Sequence, residues 1–280
     1  MKVVVFGASG MLGQDVMRAC ERAGFASRGL SLPDVDITDL HSFSDVLQPG
    51  SVVVNCAAYT QVDDAESHRD TAHHVNADGA GIVARACYEN DCRLIHISTD
   101  YVFSGDADQP YDEDDATDPV NAYGASKLCG ELRVAERCHD HLIVRVQSLF
   151  GRGGRNFVRT MRGRMARGGK DLHVVSDQVT SPTYTRHLAD AILALLPTDH
   201  QGIVHVTASG ACSWYDFAVA IADRVGSQVA VIPVQTDEYP TAARRPARSL
   251  LNTDRYYAWM GAALPTWQAG LDAYLDEENR

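Results

Sequence analysis

The amino end reads Val3-Val4-Val5-Phe6-Gly7-Ala8-Ser9-Gly10-Met11-Leu12-Gly13, and no other stretch of the chain restricts the fold as tightly. Four consecutive apolar residues suit a strand buried on both faces. Helical spacing from Met11 to Ala23 follows at once. A strand that turns through closely spaced glycines into a helix builds an anion site, because glycines let backbone approach a phosphate and the helix N-terminus offers free N–H groups and partial positive charge. The spacing is Gly-x-x-Gly-x-x-Gly, and its strand-before, helix-after context is the one that marks dinucleotide binding. Gly7, Ser9, Gly10, Met11 and Leu12 are therefore candidates to hold a pyrophosphate.

The same alternation continues. Phe25–Leu30 reads as a second strand, Asp39–Leu47 as a short helix, Ser51–Ala57 as a buried strand, Ala65–Tyr88 as a helix, Leu94–Ile97 as a strand, Asn121–Cys138 as a helix and Leu142–Val146 as a strand. This pattern predicts an α/β fold, a Rossmann doubly wound parallel sheet over residues 1–150, with a smaller C-terminal α/β substrate-binding domain over 151–280, some segments of which return to the first. The residue after the second strand selects between cofactors, and Arg28 in that region suits a 2′-phosphate, so NADPH or NADH is expected. Asp36 and Ile37, after a short third strand, are placed to meet the adenine. Ala57, Ala58 and Tyr59 are placed to pass beside the cofactor at the carboxyl edge of the sheet.

Tyr123 and Lys127 lie four apart on one helix face, with Ser98-Thr99 upstream. A free phenol with a pKa of about 10 is a poor acid or base at neutral pH. An ammonium beside it favours the phenolate and brings it toward a useful range. Thr99 can hold a carbonyl oxygen beside that phenol. The segment Asp106–Pro119 is acidic and turn-rich, a solvated loop that could also act as a flap between the Thr and Tyr elements.

Charge and composition exclude other classes. The net charge of −12 argues against nucleic acid or an anionic membrane as partner. It is unevenly distributed, because Arg145, Arg152, Arg155, Arg159, Arg162, Arg164, Arg167 and Lys170 follow one another without an acid. That stretch is either a solvated basic helix or a landing place for an anionic ligand such as a diphosphate. The seven cysteines are odd in number and scattered, without Cys-x-x-Cys, and His73-His74 has no metal-binding companion. Reduced thiols in a cytoplasm, and no metal site, are expected. No apolar run approaches the ~20 residues of a membrane span.

Together these elements resemble the extended short-chain dehydrogenase/reductases, and within them the dTDP-4-dehydrorhamnose reductase family. The later matching pieces are the more specific: Asn156-Phe157-Val158, Asp177-Gln178, Pro182-Thr183, Ser213-Trp214-Tyr215, Tyr239-Pro240-Thr241 and Arg244-Arg245-Pro246. The resemblance implies reduction of a 4-keto sugar nucleotide by a nicotinamide cofactor. By match, Tyr123 would protonate the C4 oxygen, Lys127 would bind the nicotinamide ribose and tune Tyr123, and Thr99 would hydrogen-bond the keto oxygen. Tyr101 would border the sugar, with Asn156, Gln178, Thr183 and Arg244 as further substrate contacts. A homodimer is common among relatives. Where the family strand ends Arg-Thr-Ser-Trp, this chain reads Arg145-Val146-Gln147-Ser148, which leaves the sugar open. Among rivals, a 4,6-dehydratase would follow Thr with Asp-Glu, and Tyr101 stands where that glutamate would be. A 4-epimerase would usually be longer. A non-catalytic cofactor-binding subunit is a further alternative, and a purely structural Rossmann-like binding module would leave the basic stretch unexplained.

Overall fold

The computed structural model describes residues 1–169 and 171–278. Strand β1 (Lys2–Phe6) leads through the glycine turn into α1 (Met11–Arg22) and returns as β2 (Ala26–Leu30). β3 (Val52–Asn55), α2 (Arg69–His73), α3 (Ala80–Glu89), β4 (Arg93–Thr99), α4 (Ala122–Arg137) and β5 (His141–Val146) follow. Then come β6 (Leu149–Phe150), α5 (Phe157–Arg167), β7 (Leu172–Val175), β8 (Val179–Thr180), β9 (Thr183–Tyr184), α6 (Thr185–Leu195) and β10 (Gly202–His205). The chain closes with β11 (Cys212–Ser213), α7 (Trp214–Val225), β12 (Val231–Val234), α8 (Asp254–Met260) and α9 (Trp267–Glu278).

Six strands form one parallel sheet in the order β10-β5-β4-β3-β1-β2. The chain starts mid-sheet, runs outward to β2, then crosses back to β3, so the order reverses between β1 and β3. An open α/β sheet binds ligands beyond the carboxyl ends of its strands at such a switch. Val3, Val5, Val54, Ile95 and Val144 face one apolar layer shared with α1 and α6, and Val4, Phe6, Val53, Leu94 and Ile143 face the other. This two-sided burial is why these strands are continuous apolar runs. Although α6 and β10 lie beyond residue 150, Leu188, Ile192 and Val204 belong to the first of these layers. A third cluster, around Phe150, Val158, Phe217, Trp267 and Tyr274, joins α5, α7 and α9 with the short strand pairs.

Three sequence expectations give way here. The helix expected over Asp39–Leu47 is two 3₁₀ turns, Leu40–Ser42 and Ser44–Val46. No further strand lies between β2 and Asp36 among the described residues; the Asp36 carboxylate accepts from Thr38 N and Oγ1 at 2.9 and 2.8 Å, a local turn that competes with strand pairing. The helix expected over Ala65–Tyr88 is interrupted by a π-helical turn, His74–Gly79, on which Asn76 sits.

Candidate active site

The glycine turn is built so tightly that side chains are excluded from it. Gly7 has φ +71°, and a Cβ there would stand 2.6 Å from Ala57 N. A Cβ on Gly13 would stand 2.1 Å from Gly7 O. Ala8 N donates to Leu30 O at 3.2 Å and Ser9 N to Ser31 Oγ at 2.8 Å, so the turn is tied to the end of β2. Gly10 caps α1 without a side-chain hydrogen bond, and no acid stands in the first turn. A helix N-terminus left with neither cap nor carboxylate, beneath a backbone cradle, fits the pyrophosphate of a nicotinamide dinucleotide.

The other expected cofactor positions are more mixed. Arg28 is exposed and lies within β2, paired with Val4, so the residue that follows the strand is Ser31. The side chain of Ile37 is buried in the core, and that of Asp36 is held by Thr38, which together with its backbone N–H lowers its carboxyl pKa. Ala57 N donates to Asn55 Oδ1 at 3.1 Å, which directs the chain away from β3 past the glycine turn. Asn76 Nδ2 donates to Tyr59 O at 3.0 Å, Asn76 Oδ1 accepts from Tyr59 N at 2.8 Å, and the phenol of Tyr59 bonds Asp64.

Opposite this wall stands α4. Asn121 caps it by accepting from Gly124 N at 2.8 Å and donates to Arg244 O at 2.9 Å. Two glycines let the helix come close: a Cβ on Gly124 would meet Tyr101 O at 2.1 Å, and one on Gly130 would meet Asn76 O at 2.2 Å. Ser126 accepts from Asn76 Nδ2 at 2.9 Å. The Tyr-Gly-x-Ser-x-x-x-Gly run is thus a contact surface that sets Tyr123 against the end of β4.

There Thr99, Tyr101, Tyr123 and Lys127 line one cleft of about 780 Å³, together with Met11, Ser148, Arg155 and Trp214. Tyr101 and Tyr123 meet edge to face with ring centroids 5.9 Å apart. Burial pushes the Tyr123 phenol up to about 12, and a hydrogen bond with Thr99 draws it back. Burial also pushes Tyr101 upward. Lys127 is buried, which brings its pKa down to about 8 against the opposing charge of Glu131. Its Nζ donates to Ile97 O at 2.7 Å and lies 3.4 Å from His96 Nε2. The lysine expected to ease ionisation of the phenol is thus held by the β4 backbone, and Thr99 is the group that favours the phenolate.

Asp100 was missed by sequence reasoning. It lines the cleft, and burial raises its pKa to about 6 even though Ser249, Gln147 and Thr99 all donate to it. Gln147 is fully buried; its Nε2 donates to Asp100 Oδ2 at 3.0 Å and Ser249 O at 2.9 Å, and its Oε1 accepts from Ser181 N at 3.0 Å. Ser148, with φ +46°, bonds Thr180 through its hydroxyl.

The remaining expected substrate contacts serve the scaffold. Thr183 Oγ1 donates to Ser181 O and accepts from Ala208 N, away from solvent. Gln178 donates to Thr236 Oγ1 at 3.0 Å. Asn156 caps α5 through Arg159 N and donates to Gly151 O at 2.7 Å. Arg244 is exposed outside the cleft wall, while its neighbour Arg245 binds both Asp63 oxygens at 2.8 Å. The basic stretch divides as well. Arg145 is buried in an ion pair with Glu131, Arg152 and Arg162 face Glu278, and Arg155 alone lines the cleft; Lys170 lies outside the described residues. No helix among the described residues is long and apolar enough to cross a membrane.

A doubly wound parallel sheet with a glycine turn at its switch, and a Thr/Tyr/Lys set across the cleft, is the architecture of an extended short-chain dehydrogenase/reductase. Residues 1–280 match the family model described as RmlD substrate binding domain, and the chain belongs to that family. It is 42% identical to the dTDP-4-dehydrorhamnose reductase of Mycolicibacterium smegmatis, over 91% of this chain and 79% of that protein. It is 41% identical to the spore coat polysaccharide biosynthesis protein SpsK of Bacillus subtilis, over 99% and 98%. The crystal structure of the Bacillus anthracis dTDP-4-dehydrorhamnose reductase in complex with NADP superposes with a TM-score of 0.94, at 37% identity and 99% coverage of both chains.

Proposed function

We propose that this protein reduces the C4 keto group of a nucleotide-activated 6-deoxy sugar, converting dTDP-4-dehydro-L-rhamnose to dTDP-L-rhamnose. The observation that carries the reading is the convergence of Thr99, Tyr123 and Lys127 on one cleft with Tyr101 where a dehydratase needs a carboxylate. The glycine turn and the α1 N-terminus hold the pyrophosphate of NADPH or NADH. The bound cofactor supplies the hydride. Tyr123 is the proton donor: its phenol, protonated at neutral pH, gives its proton to the oxygen as negative charge develops there. Thr99 orients that oxygen beside the phenol, its single O–H turning from Asp100 to do so. Lys127, held at the cleft by Ile97 O, would bind the nicotinamide ribose. Tyr101 and Trp214 bound the sugar and exclude water, and Arg155 on the cleft rim meets the diphosphate. The free state of all seven thiols suits a cytoplasmic enzyme, and a homodimer completes the assembly proposed here.

The test mixes the protein with NADPH or NADH and dTDP-4-dehydro-6-deoxy-L-mannose and follows loss of the reduced nicotinamide absorbance. Oxidation of neither cofactor overturns the reading. Tyr123→Phe should lower kcat by about 10²–10⁴-fold with cofactor affinity nearly unchanged. Full activity in that variant refutes the assigned donor.

A further inference from the structure

A histidine that the reaction above does not use lies directly behind Lys127. His96, on β4, is almost fully buried between Asn55 and the lysine. Its Nδ1 is 3.2 Å from Asn55 Nδ2 and its Nε2 is 3.4 Å from Lys127 Nζ. The Asn55 amide cannot turn over freely, because its Oδ1 already accepts from Ala57 N at 3.1 Å, and a backbone N–H is always a donor. Asn55 Nδ2 must therefore donate to His96, Nδ1 must be the bare nitrogen, and the ring proton of neutral His96 must sit on Nε2. That N–H points at Lys127. An ammonium has three donors and no acceptor, so donor faces donor; a neutral amine would instead accept from Nε2–H.

We propose that His96 is a positioning residue for the reductase: locked by Asn55 as the Nε2–H tautomer, it adds to burial in disfavouring the ammonium of Lys127 and so lowers the pH at which that lysine loses its charge. The lysine's other neighbours leave this role to His96. Glu131 on α4 favours the ammonium, but its carboxylate is occupied by Arg145 on β5, at 2.7 and 3.0 Å, and by Ser98. Cys56, at the end of β3, is a neutral thiol, because burial pushes it up to about 12. Tyr123 on the same helix is protonated, and His141 on β5 acts on His96 by disfavouring its cation. His96 itself stays neutral, driven well below the usual histidine range by burial and by Lys127.

The decisive variant is His96→Gln, which presents an amide oxygen where Nε2–H stood and so accepts from the ammonium. A hydrogen bond to a charged group is worth about 1.5–3 kcal/mol, or roughly one to two pH units. Heteronuclear NMR of labelled protein reads the His96 tautomer directly, and the ¹³Cε signal of Lys127 reads its titration without any substrate. The expected result is a bare Nδ1 in the wild type and a Lys127 midpoint that rises by about one to two units in His96→Gln. An Nδ1–H tautomer, or an unmoved midpoint, overturns the proposal. The wild-type tautomer decides the matter should the variant not fold. In turnover, which rests on the reductase reading above, the alkaline limb of kcat should rise by the same amount. A limb that stays fixed while Lys127 shifts removes His96 from the reaction. Absence of any NADPH oxidation in the wild type would instead count against the reductase reading, with the spectroscopic result standing alone.

Discussion

Gly13→Ala is the sharpest test of how this fold would hold a dinucleotide. The added methyl would stand 2.1 Å from Gly7 O and 2.8 Å from both Gly7 C and Ala8 Cα. All three are backbone atoms, so no side chain can swing aside, and the overlap is roughly 1 Å or more inside an ordinary contact. The turn and the start of α1 must separate. Such overpacking costs about 1–3 kcal/mol of stability. The larger effect falls on binding, because the N–H groups of the turn and of the α1 N-terminus no longer converge on one anion. Loss of two charge-assisted bonds, at about 1.5–3 kcal/mol each, weakens the complex by at least about a hundredfold. Fluorescence titration with NADPH measures this, with circular dichroism to establish that the variant is folded. Gly24→Ala is the control: Gly24 has φ +73° with nothing within 4 Å, so alanine there costs backbone strain of about 1 kcal/mol and leaves affinity unchanged. A folded Gly13→Ala protein that binds NADPH as the wild type does would refute the assignment of the turn as the pyrophosphate cradle.

Two predictions concern the buried polar layer beneath the cleft. Because burial raises the Asp100 pKa to about 6 from an unfolded value of about 3.9, the native state binds the extra proton between these limits, and the Asp100 contribution to stability falls as pH rises from about 4 to about 6. Urea denaturation at several pH values should show a wild-type profile that declines relative to Asp100→Asn by up to about 3 kcal/mol across that window, and parallel profiles would refute the shift. Gln147→Ala removes three buried hydrogen bonds and should cost about 2–4 kcal/mol in the same assay. A cost below about 1 kcal/mol would mean that water replaces the amide.

The sheet was legible in the sequence because its strands are buried on both faces, and an apolar run such as Val52-Val53-Val54 has few other places to go. α7 carries its own local punctuation: Ser213 and Asp216 form a capping box at its start and Gly226 ends it in the left-handed region. The Thr99, Tyr123 and Lys127 set could be read from spacing, since a strand end and one helix face determine where they stand. The segments that failed, Asp36 and the turns after Asp39, are governed by side-chain bonds to nearby backbone, and these do not appear as hydrophobic period. Thr183, Gln178 and Asn156 lie in matching motifs, yet their side chains serve the scaffold, and only their partners distinguish the two roles.

The sequence by itself determined the fold class and the glycine turn, because buried strands and strand-to-helix turns are written in local patterns of apolar residues and glycines. Only the tertiary structure decided which charges and protons the reacting residues carry. Asp100, Gln147 and Ser249 meet from three separate segments, as do Asn55, His96 and Lys127. Burial acts on a group through everything packed around it, so the phenol of Tyr123 and the ammonium of Lys127 took their properties in large part from β4, which lies well before them along the chain.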